Sequence, residues 1–456
     1  MNIKQTSTPL VIGLVSTAIC FSFSFFTNVF KYNGLEFFYA YIAFLILLCY
    51  PMNLVAIHLQ KTLPNLGPHS KLIAKITGTS KLKPISILLT GTVIILVSLV
   101  MFNISTYVLD FFDNIPAIDK LSDASLEFNS NLPIYSSLTA VFIIIFILFI
   151  LTSFEKINLN NLLKTTAHIS LYLVIILMLM VIYLPQSING IHDFLFQLNY
   201  QSTEQLRSMF ELALIYAILS NFISIAFYKN LININDNNYK KLKVASFKSI
   251  FYNIVFSFII CITIYSILGN YRTYLQPHES MPIELVFQIV KANSPTYYLL
   301  LEVVFITLNL VVFISALKYI YRLGNNIYTK LIFLIIPLIM TISLIETGIA
   351  YIDFSHMFGL HLLIIFLFLF DVFIIGWIYD AQKLSYEILK HTNIKLSPLF
   401  NIILRIVIPF ICIFVTIGYI FLPMSIMWQF IATITCIIIY IIKGSIFSNI
   451  LNQRKF

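Results

Sequence analysis

The chain has 456 residues, of which 59% are hydrophobic and only 10% are charged, and its mean hydropathy is +0.93. A soluble protein of this size could not bury so much apolar surface, whereas a lipid bilayer covers such surface on the outside of each helix. The composition therefore predicts an all-α integral membrane protein. The formal net charge of +9 raises the question of nucleic-acid binding, which the placement of the basic residues answers.

Twelve apolar segments are long enough to cross about 30 Å of hydrocarbon. Numbered span 1 to span 12, they lie near residues 9–30, 37–60, 84–109, 135–153, 166–184, 209–228, 246–268, 296–317, 330–350, 357–379, 401–422 and 425–443. The loops between them are too short to hold a soluble domain, so residues 1–456 are expected to form a single membrane domain. The N-terminal segment runs into span 1 without a clear cleavage site, which predicts a retained helix.

The basic residues are concentrated on one side of these spans. With both termini on the same side, all but five of the 28 Lys and Arg residues fall on that side. Because positively charged loops stay in the cytoplasm, both termini are predicted to be cytoplasmic. The positive net charge is thus explained by the orientation of the protein in the membrane, which argues against a nucleic-acid partner. Heavy use of Ile, Lys and Asn is typical of a bacterium with an AT-rich genome, which predicts the cytoplasmic (inner) membrane.

The cysteines and the acid–base residues suggest no catalytic or metal site. Five cysteines (Cys20, Cys49, Cys261, Cys412 and Cys436) lie inside apolar segments without CxxC spacing. We interpret them as small packing residues rather than metal ligands or disulfide partners. No HxxxD-type or nucleophile pattern lies at a plausible depth for a membrane enzyme. The chain is therefore expected to be neither an enzyme nor a protein with a bound cofactor or metal.

Spans 1 and 6 contain clusters of polar residues, which are unfavourable on a helix face that contacts lipid. Span 1 alternates Ser and Thr with Phe between residues 16 and 28, and span 6 carries Ser220, Asn221 and Ser224 after Tyr216. A five-helix inverted repeat places spans 1 and 6 in equivalent positions, and transporters of that design bind solute where both helices break. Alternatively, the hydroxyls bond back to their own intact helices, and the pattern alone leaves both interpretations open.

Three stretches of the chain resemble the neurotransmitter:sodium symporter family. Residues 371–411 resemble the end of the family's helix 10, the following cytoplasmic turn and helix 11. Residues 33–61 resemble the turn between its helices 1 and 2, and residues 210–228 carry aromatic residues at the spacing of its helix 6. The resemblance implies a LeuT-type fold, with five-helix repeats at 9–184 and 209–379 and helices 11 and 12 at 401–443.

The resemblance also implies a central solute pocket formed by spans 1, 6 and 8. The matching substrate-binding positions are Ser16, Thr17, Phe21, Ser22, Ser24, Tyr216, Ala217, Ser220, Asn221, Phe222, Ser315 and Tyr319. The matching ion-binding positions are Ser22, Ser249, Asn253 and Ser315, and the gate positions are Asp353 and His356.

The chain departs from the family at several of these positions. The family's glycines in the break of span 1 are absent, and its extracellular-gate arginine has no counterpart, since only Phe25, Thr27 or Asn28 can align there. At the sodium sites, Ile314 replaces one hydroxyl and Ser249 replaces an asparagine. Hard cations tolerate missing oxygen ligands poorly, so sodium coupling is doubtful and either Na⁺ or H⁺ is left open as the coupling ion.

The resemblance therefore implies a secondary active transporter that moves a small organic solute, amino-acid-like in character, by alternating access. Its expected partners are that solute and membrane lipid, and a homodimer is left open. The alternative, which the lost ion ligands favour, is a transport-inactive relative that senses a solute or binds another membrane protein.

Overall fold

The structure is a computed structural model that describes residues 3–22, 25–32, 34–62, 83–114, 159–182, 187–196, 208–220, 240–268, 295–323, 335–342, 360–392, 396 and 398–420. Almost all of these residues are helical, and none of them is in a strand. The chain divides into two compact units, Met1–Pro409 and Phe410–Phe456. Within the described part of the second unit, the rings of Phe410 and Phe414 stack with their centroids 6.2 Å apart.

Long runs of Ile, Leu, Phe and Val favour continuous helices, and prolines begin two of them, at the position where the missing N–H is not needed. In chain order the described helices are α1 (Ile3–Ser22), α2 (Phe25–Lys31), α3 (Leu35–Phe44), α4 (Tyr50–Thr62), α5 (Lys83–Asn114), α6 (Leu159–Ile182), α7 (Ser187–Phe196), α8 (Ser208–Ser220), α9 (Lys240–Leu268), α10 (Pro295–Leu323), α11 (335–342), α12 (Leu360–Phe373), α13 (Ala381–Thr392), α14 (Pro398–Ile402) and α15 (Ile408–Ile420). The π-helical turns Leu45–Cys49, Ile374–Ile378 and Ile403–Val407 follow α3, α12 and α14.

Within the described residues, four helices are long and apolar enough to cross a bilayer: Leu35–Val55, Asn161–Ile182, Val244–Ile267 and Tyr297–Ala316. Leu362–Ile378 and Ala381–Lys390 add a fifth if the pair, bent by 74°, is one span. The apolar side chains of Tyr172, Leu179 and Ile182 on α6 are exposed, as expected of a surface covered by lipid. The predicted all-α membrane architecture is thus confirmed. Spans 4 and 12 lie outside the described residues.

Helices α1 and α9 form the centre of the first unit. α1 packs along α9 and against α10, and α10 packs in turn on α5 and α6. The backbones of α1 and α9 come close at Gly13, where a Cβ atom would lie 2.6 Å from the Cβ of Tyr252 and 2.7 Å from the carbonyl oxygen of Ser249. Only glycine permits this approach, which brings the next turn of α1 within hydrogen-bonding distance of α9.

The turn between α2 and α3 is fixed by Gly34 and by α7. Gly34 has a φ of +53°, a conformation that glycine adopts without strain, and its N–H donates to the carbonyl oxygen of Val29 at 2.8 Å. The hydroxyl of Tyr265 on α9 donates to the same oxygen at 3.2 Å. Phe194 of α7 packs 4.9 Å from the Tyr265 ring, centroid to centroid. Residues 185–208 lie between the predicted spans 5 and 6 and were expected to be a loop, whereas the structure has the packed helix α7 at Ser187–Phe196.

The bend between α12 and α13 is held by Asp380, which has a φ of +77°. Its carboxylate accepts a hydrogen bond from the N–H of Gln382 at 2.8 Å and pairs with the guanidinium of Arg405. Arg405 also donates from Nε to the carbonyl oxygen of Gly376 at 3.0 Å. These contacts tie the bend to the π-helical turn after α14.

Gly190 provides a test of the packing of α7. A Cβ at this position would collide with the carbonyl group of Tyr265, lying 2.7 Å from its carbon atom, whereas a Cβ at Gly91 would meet nothing within 4 Å. We expect Gly190→Ala to lower the free energy of unfolding by about 1–3 kcal/mol, because the helix must move away from a backbone. Gly91→Ala, in a helix with room for a methyl group, should be neutral or stabilising by up to about 1 kcal/mol.

The measurement is thermal and denaturant unfolding of the purified protein in detergent. Equal stability of the two variants would contradict the close packing of α7 on α9.

Candidate functional site

A group of buried polar side chains lies where α1, α3 and α9 meet. It consists of Thr17, Cys20, Tyr41, Asn253 and Ser257, and we call it the polar cluster. Each of its members is at most 2% exposed. Buried polar groups in a membrane protein need partners within the protein, since lipid supplies none. The members of this cluster are partners for one another.

Asn253 lies at the centre of the polar cluster. Its Nδ2 donates to the hydroxyl of Tyr41 at 3.1 Å. Its Oδ1 accepts from the hydroxyl of Ser257 at 3.2 Å and lies 3.0 Å from the hydroxyl oxygen of Thr17. The Thr17 hydroxyl also lies 2.9 Å from the carbonyl oxygen of Gly13, so its single proton is shared between two acceptors. One amide thus connects three helices.

Cys20 extends the polar cluster toward α8. Its Sγ lies 3.3 Å from the hydroxyl oxygen of Tyr41 and 3.5 Å from the carbonyl oxygen of Tyr216. Cys49 makes a similar contact, with its Sγ 3.1 Å from the carbonyl oxygen of Ala217. The described cysteines, Cys20, Cys49, Cys261 and Cys412, are buried, and none of them forms a disulfide with another described cysteine.

The polar cluster carries no charged side chain. Asn253 contributes an amide, and the other members contribute hydroxyls and one thiol. Next to the cluster, Thr17 lines a cavity of about 10 Å³ together with apolar side chains that include Leu14, Phe256 and Ile260. That volume holds about one water molecule. Within the described part of the chain, no three His, Cys, Asp or Glu side chains are grouped so that they could hold a metal ion.

A group of buried aromatic rings adjoins the polar cluster, and we call it the aromatic cluster. It consists of Phe21, Phe25, Phe37, Tyr41 and Tyr216, with Phe25 at its centre. The centroid of the Phe25 ring lies 4.7 Å from that of Tyr41, 5.2 Å from Tyr216, 5.4 Å from Phe21 and 5.6 Å from Phe37. Such pairs contribute about 0.5–1.5 kcal/mol each beyond the burial of their surface.

Tyr216 is also held by a hydrogen bond. The side-chain Nδ2 of Asn28, one turn along α2 from Phe25, donates to the hydroxyl of Tyr216 at 2.8 Å. This neutral bond connects α2 to α8.

The structure brings several of the predicted pocket residues together. Thr17 belongs to the polar cluster, Phe21 and Tyr216 belong to the aromatic cluster, and Ser220 neighbours Cys20 and Tyr41. Ala217 and Ser16 are buried on the same two helices, α8 and α1. The predicted ion-binding residue Asn253 is the centre of the polar cluster.

Three predicted serines bond back to their own helices. The hydroxyls of Ser220, Ser249 and Ser315 donate to the carbonyl oxygens of Ala217, Ser246 and Val311, at 2.8, 2.8 and 2.6 Å. Back-bonding was the alternative interpretation of the polar residues in spans 1 and 6, and for the hydroxyl proton of Ser220 in span 6 it is what the structure shows. Their oxygen lone pairs can still accept or coordinate a ligand.

Other predicted site residues lie outside the described residues, namely Ser24, Asn221, Phe222, Asp353 and His356, as do the side chains of Ser22 and Tyr319. The described part of span 1 consists of α1, which ends at Ser22, and α2, which begins at Phe25; residues 23 and 24 lie outside the described residues. The description of span 6 ends at Ser220.

Six residues of the two clusters and their surroundings were not among the predicted site residues: Cys20, Phe25, Asn28, Phe37, Tyr41 and Ser257. For Tyr41 there was a usable signal, because a tyrosine in the middle of a span must find a partner for its hydroxyl. Phe25 gives no such signal, since it is one of several phenylalanines in the same stretch.

A crystal structure of MhsT in complex with L-phenylalanine has the same fold, with a TM-score of 0.67 and 15% sequence identity. The alignment covers 90% of this chain and 98% of that chain. At this identity the likeness establishes the fold, and the predicted LeuT-type architecture is confirmed. No protein-family model matches the chain, and no curated protein matches it by sequence.

Asn253 provides a test of the polar cluster, with Asn309 as its control. Both are buried asparagines within long helices, but among the described residues Asn309 donates only to the carbonyl oxygen of Phe305 on its own helix, at 2.9 Å. Asn253→Ala removes a partner from Tyr41, Thr17 and Ser257 at once and should lower the free energy of unfolding by about 1–3 kcal/mol. Asn309→Ala should lower the free energy of unfolding by less, because the carbonyl oxygen of Phe305 already accepts a backbone hydrogen bond within α10 and does not depend on Asn309.

Unfolding of the two variants in the same detergent measures the difference. An equal loss of stability in both variants would mean that the hydrogen bonds between α1, α3 and α9 contribute no stability beyond that of the buried side-chain volume.

Proposed function

We propose that the chain is a secondary active transporter that carries a small, amino-acid-like solute across the membrane by alternating access. The observation that carries this proposal is the fold, which the chain shares over 90% of its length with MhsT, a protein crystallised in complex with L-phenylalanine. The polar and aromatic clusters add support, because they lie between α1, α3, α8 and α9 and include residues predicted for a solute pocket. On this proposal the chain is a divergent member of the neurotransmitter:sodium symporter family.

The chemistry of the two clusters favours a neutral or zwitterionic solute. Hydroxyl, amide and backbone groups can bond to polar atoms of a solute, while the rings of Phe21 and Tyr216 can contact its apolar part. Span 1 has no Asp or Glu between Ser16 and Asn28. A cationic amine would therefore lack a counter-ion from this helix, which disfavours a monoamine substrate.

We propose further that sodium does not drive the transport. The amide oxygen of Asn253 is already occupied by hydroxyl donors, and the predicted ligands Ser249 and Ser315 each offer only a neutral, back-bonded hydroxyl. A hard cation takes about six oxygen ligands or more, with carboxylates prominent among them. The described candidates fall short of such a set, which leaves a proton gradient or a solute gradient as the driving force.

The location follows from the distribution of charge. The excess of Lys and Arg on one side of the spans supports a protein of the cytoplasmic membrane with both termini in the cytoplasm.

The decisive experiment is uptake by the purified protein in proteoliposomes. A panel of labelled amino acids would be offered with a sodium gradient, a potassium gradient or a pH gradient as the only driving force. We expect accumulation of at least one neutral amino acid, at a rate unchanged within about twofold when sodium is replaced by potassium, because no complete sodium site is expected.

A strict requirement for sodium would contradict the ion proposal while confirming transport. A transport-inactive sensor makes a different prediction: solutes would raise the melting temperature of the protein without any uptake, in vesicles shown to contain folded protein. If no solute in the panel binds and none is taken up, the proposal of an amino-acid-like substrate is overturned.

A further inference from the structure

We propose that His58 and Glu387 form a proton-binding pair that fastens α13 to the end of α4 at acid pH. Both residues lie on the side of the membrane that the distribution of Lys and Arg predicts to be cytoplasmic. The pair makes the packing of the protein sensitive to pH on that side. This inference goes beyond the proposed function, and its tests require neither a solute nor transport.

The two side chains meet although they belong to distant parts of the chain. His58 lies near the end of α4, and Glu387 lies in the middle of α13, which follows the bend of 74° after α12. The Nε2 atom of His58 is 3.5 Å from Oε2 of Glu387. This distance suits an ion pair, which exists only while the imidazole carries a proton.

The two members of the pair differ in exposure. The side chain of His58 is fully buried, whereas that of Glu387 is 25% exposed, so a proton from water has access to the imidazole by way of the carboxylate. Burial disfavours an imidazolium on its own, and a carboxylate at short range favours it. Proton uptake at His58 therefore depends on Glu387.

Tyr379 holds the carboxylate in place. Its hydroxyl donates to Oε2 of Glu387 at 2.5 Å, and this is the same oxygen that faces His58. A hydrogen bond donated to a carboxylate favours the ionised form that an imidazolium needs as its partner. Tyr379 lies directly before Asp380, which forms the bend and is paired with Arg405. The pair thus connects α4 to the bend as well as to α13.

The elements that pack on α4 contribute no buried charged side chain among the residues that the structure describes. These elements are the π-helical turn before α4 and helix α9. In the turn the titratable group is Cys49, whose thiol contacts α8. On α9, Lys248 is exposed, and the ring of Tyr252 stacks on that of Phe256. Three further lysines of α9 have side chains outside the described residues, namely Lys240, Lys241 and Lys243.

On α13, the described charged side chains other than Glu387 are exposed. They are Lys383 and Lys390, while the side chain of His391 lies outside the described residues. Water and salt screen exposed charges much more than buried ones. Among the described charges, that of Glu387 therefore has the strongest effect on the protonation of His58.

The direction of the pH dependence follows from these charges. An unperturbed imidazole has a pKa of about 6.5, so the protonated form is favoured below that pH and the neutral form above it. The protonated imidazole forms an ion pair with the carboxylate and joins α4 to α13. The stability that this pair contributes is therefore present at acid pH and is lost as the pH rises.

The first test is thermal unfolding of the purified protein in detergent at pH 5.5 and pH 8.5. His58→Gln should lower the melting temperature more at pH 5.5 than at pH 8.5, by about 2 °C or more, because glutamine cannot take up the proton. In protein that already carries Glu387→Gln, the effect of His58→Gln should be equal at both pH values. Glu387→Gln alone should show the same pH-dependent loss and serves as the measurement if the His58 variant does not fold.

The control is His192→Gln, which replaces an exposed histidine of α7 whose ring lies 5.2 Å from that of Phe196, centroid to centroid. This variant should change the melting temperature equally at both pH values. A loss from His58→Gln that is the same at pH 5.5 and pH 8.5 would overturn the pair. A pH-dependent loss that persists in protein with Glu387→Gln would also overturn it.

The second test measures the attachment of α13 by amide hydrogen exchange, corrected for the intrinsic effect of pH on the exchange rate. In the unmodified protein, Ala381–Thr392 should exchange about threefold or more slowly at pH 5.5 than at pH 8.5, because local opening is rarer when the ion pair is formed. With Glu387→Gln this difference should disappear. Helix α3 is the internal control and should show no difference.

Two outcomes of the exchange experiment would contradict the proposal. Exchange in α13 that does not depend on pH in the unmodified protein would overturn the attachment. An equal pH dependence in α13 and α3 would also overturn it, since the whole protein would then loosen. Either outcome leaves the transport proposal standing, because uptake by proteoliposomes is measured separately.

Discussion

The amide of Asn253 satisfies a constraint on which the rest of the described centre depends. Polar groups within a bilayer must find partners in the protein, and this one side chain supplies them to α1, α3 and α9 together. The bond to Thr17 is possible only because Gly13 lets α1 approach α9. The bond to Tyr41 orients a ring that in turn packs against Phe25. The aromatic cluster is thus positioned by the polar one.

Hydropathy patterns were sufficient to predict the membrane class and the positions of the long helices that the structure describes, because burial in lipid acts on whole segments rather than on single residues. They were not sufficient for α7. This helix has ten residues, too few for a clear period, and it is held in place by contacts such as those of Gly190 and Phe194 with Tyr265. A glycine that is needed for a close approach looks, in sequence, like a glycine in a loop.

The candidate site was predictable where a residue type carries a chemical requirement. Thr17 and Asn253 are polar residues within apolar spans, which makes them candidate site residues. Their contact joins positions 236 residues apart, so it could not be predicted from the sequence of either span alone. Phe25 carries no such requirement. Its importance comes from the four rings around it, which belong to three separate helices, and a phenylalanine in a phenylalanine-rich stretch does not reveal which neighbours it will have.

The close contact at Gly13 also determines how α1 can move. Because the Cβ of Tyr252 and the carbonyl oxygen of Ser249 on α9 lie so close to Gly13, sliding of α1 along α9 would make atoms collide, whereas a pivot about this contact would not. The end of α1 at Ser22 lies nine residues further on, about 13 Å at a rise of 1.5 Å per residue, so a tilt of about 10° displaces it by about 2 Å. Gly13 is therefore the point about which α1 can tilt, and the displacement is largest at the end of α1 that carries Phe21 of the aromatic cluster.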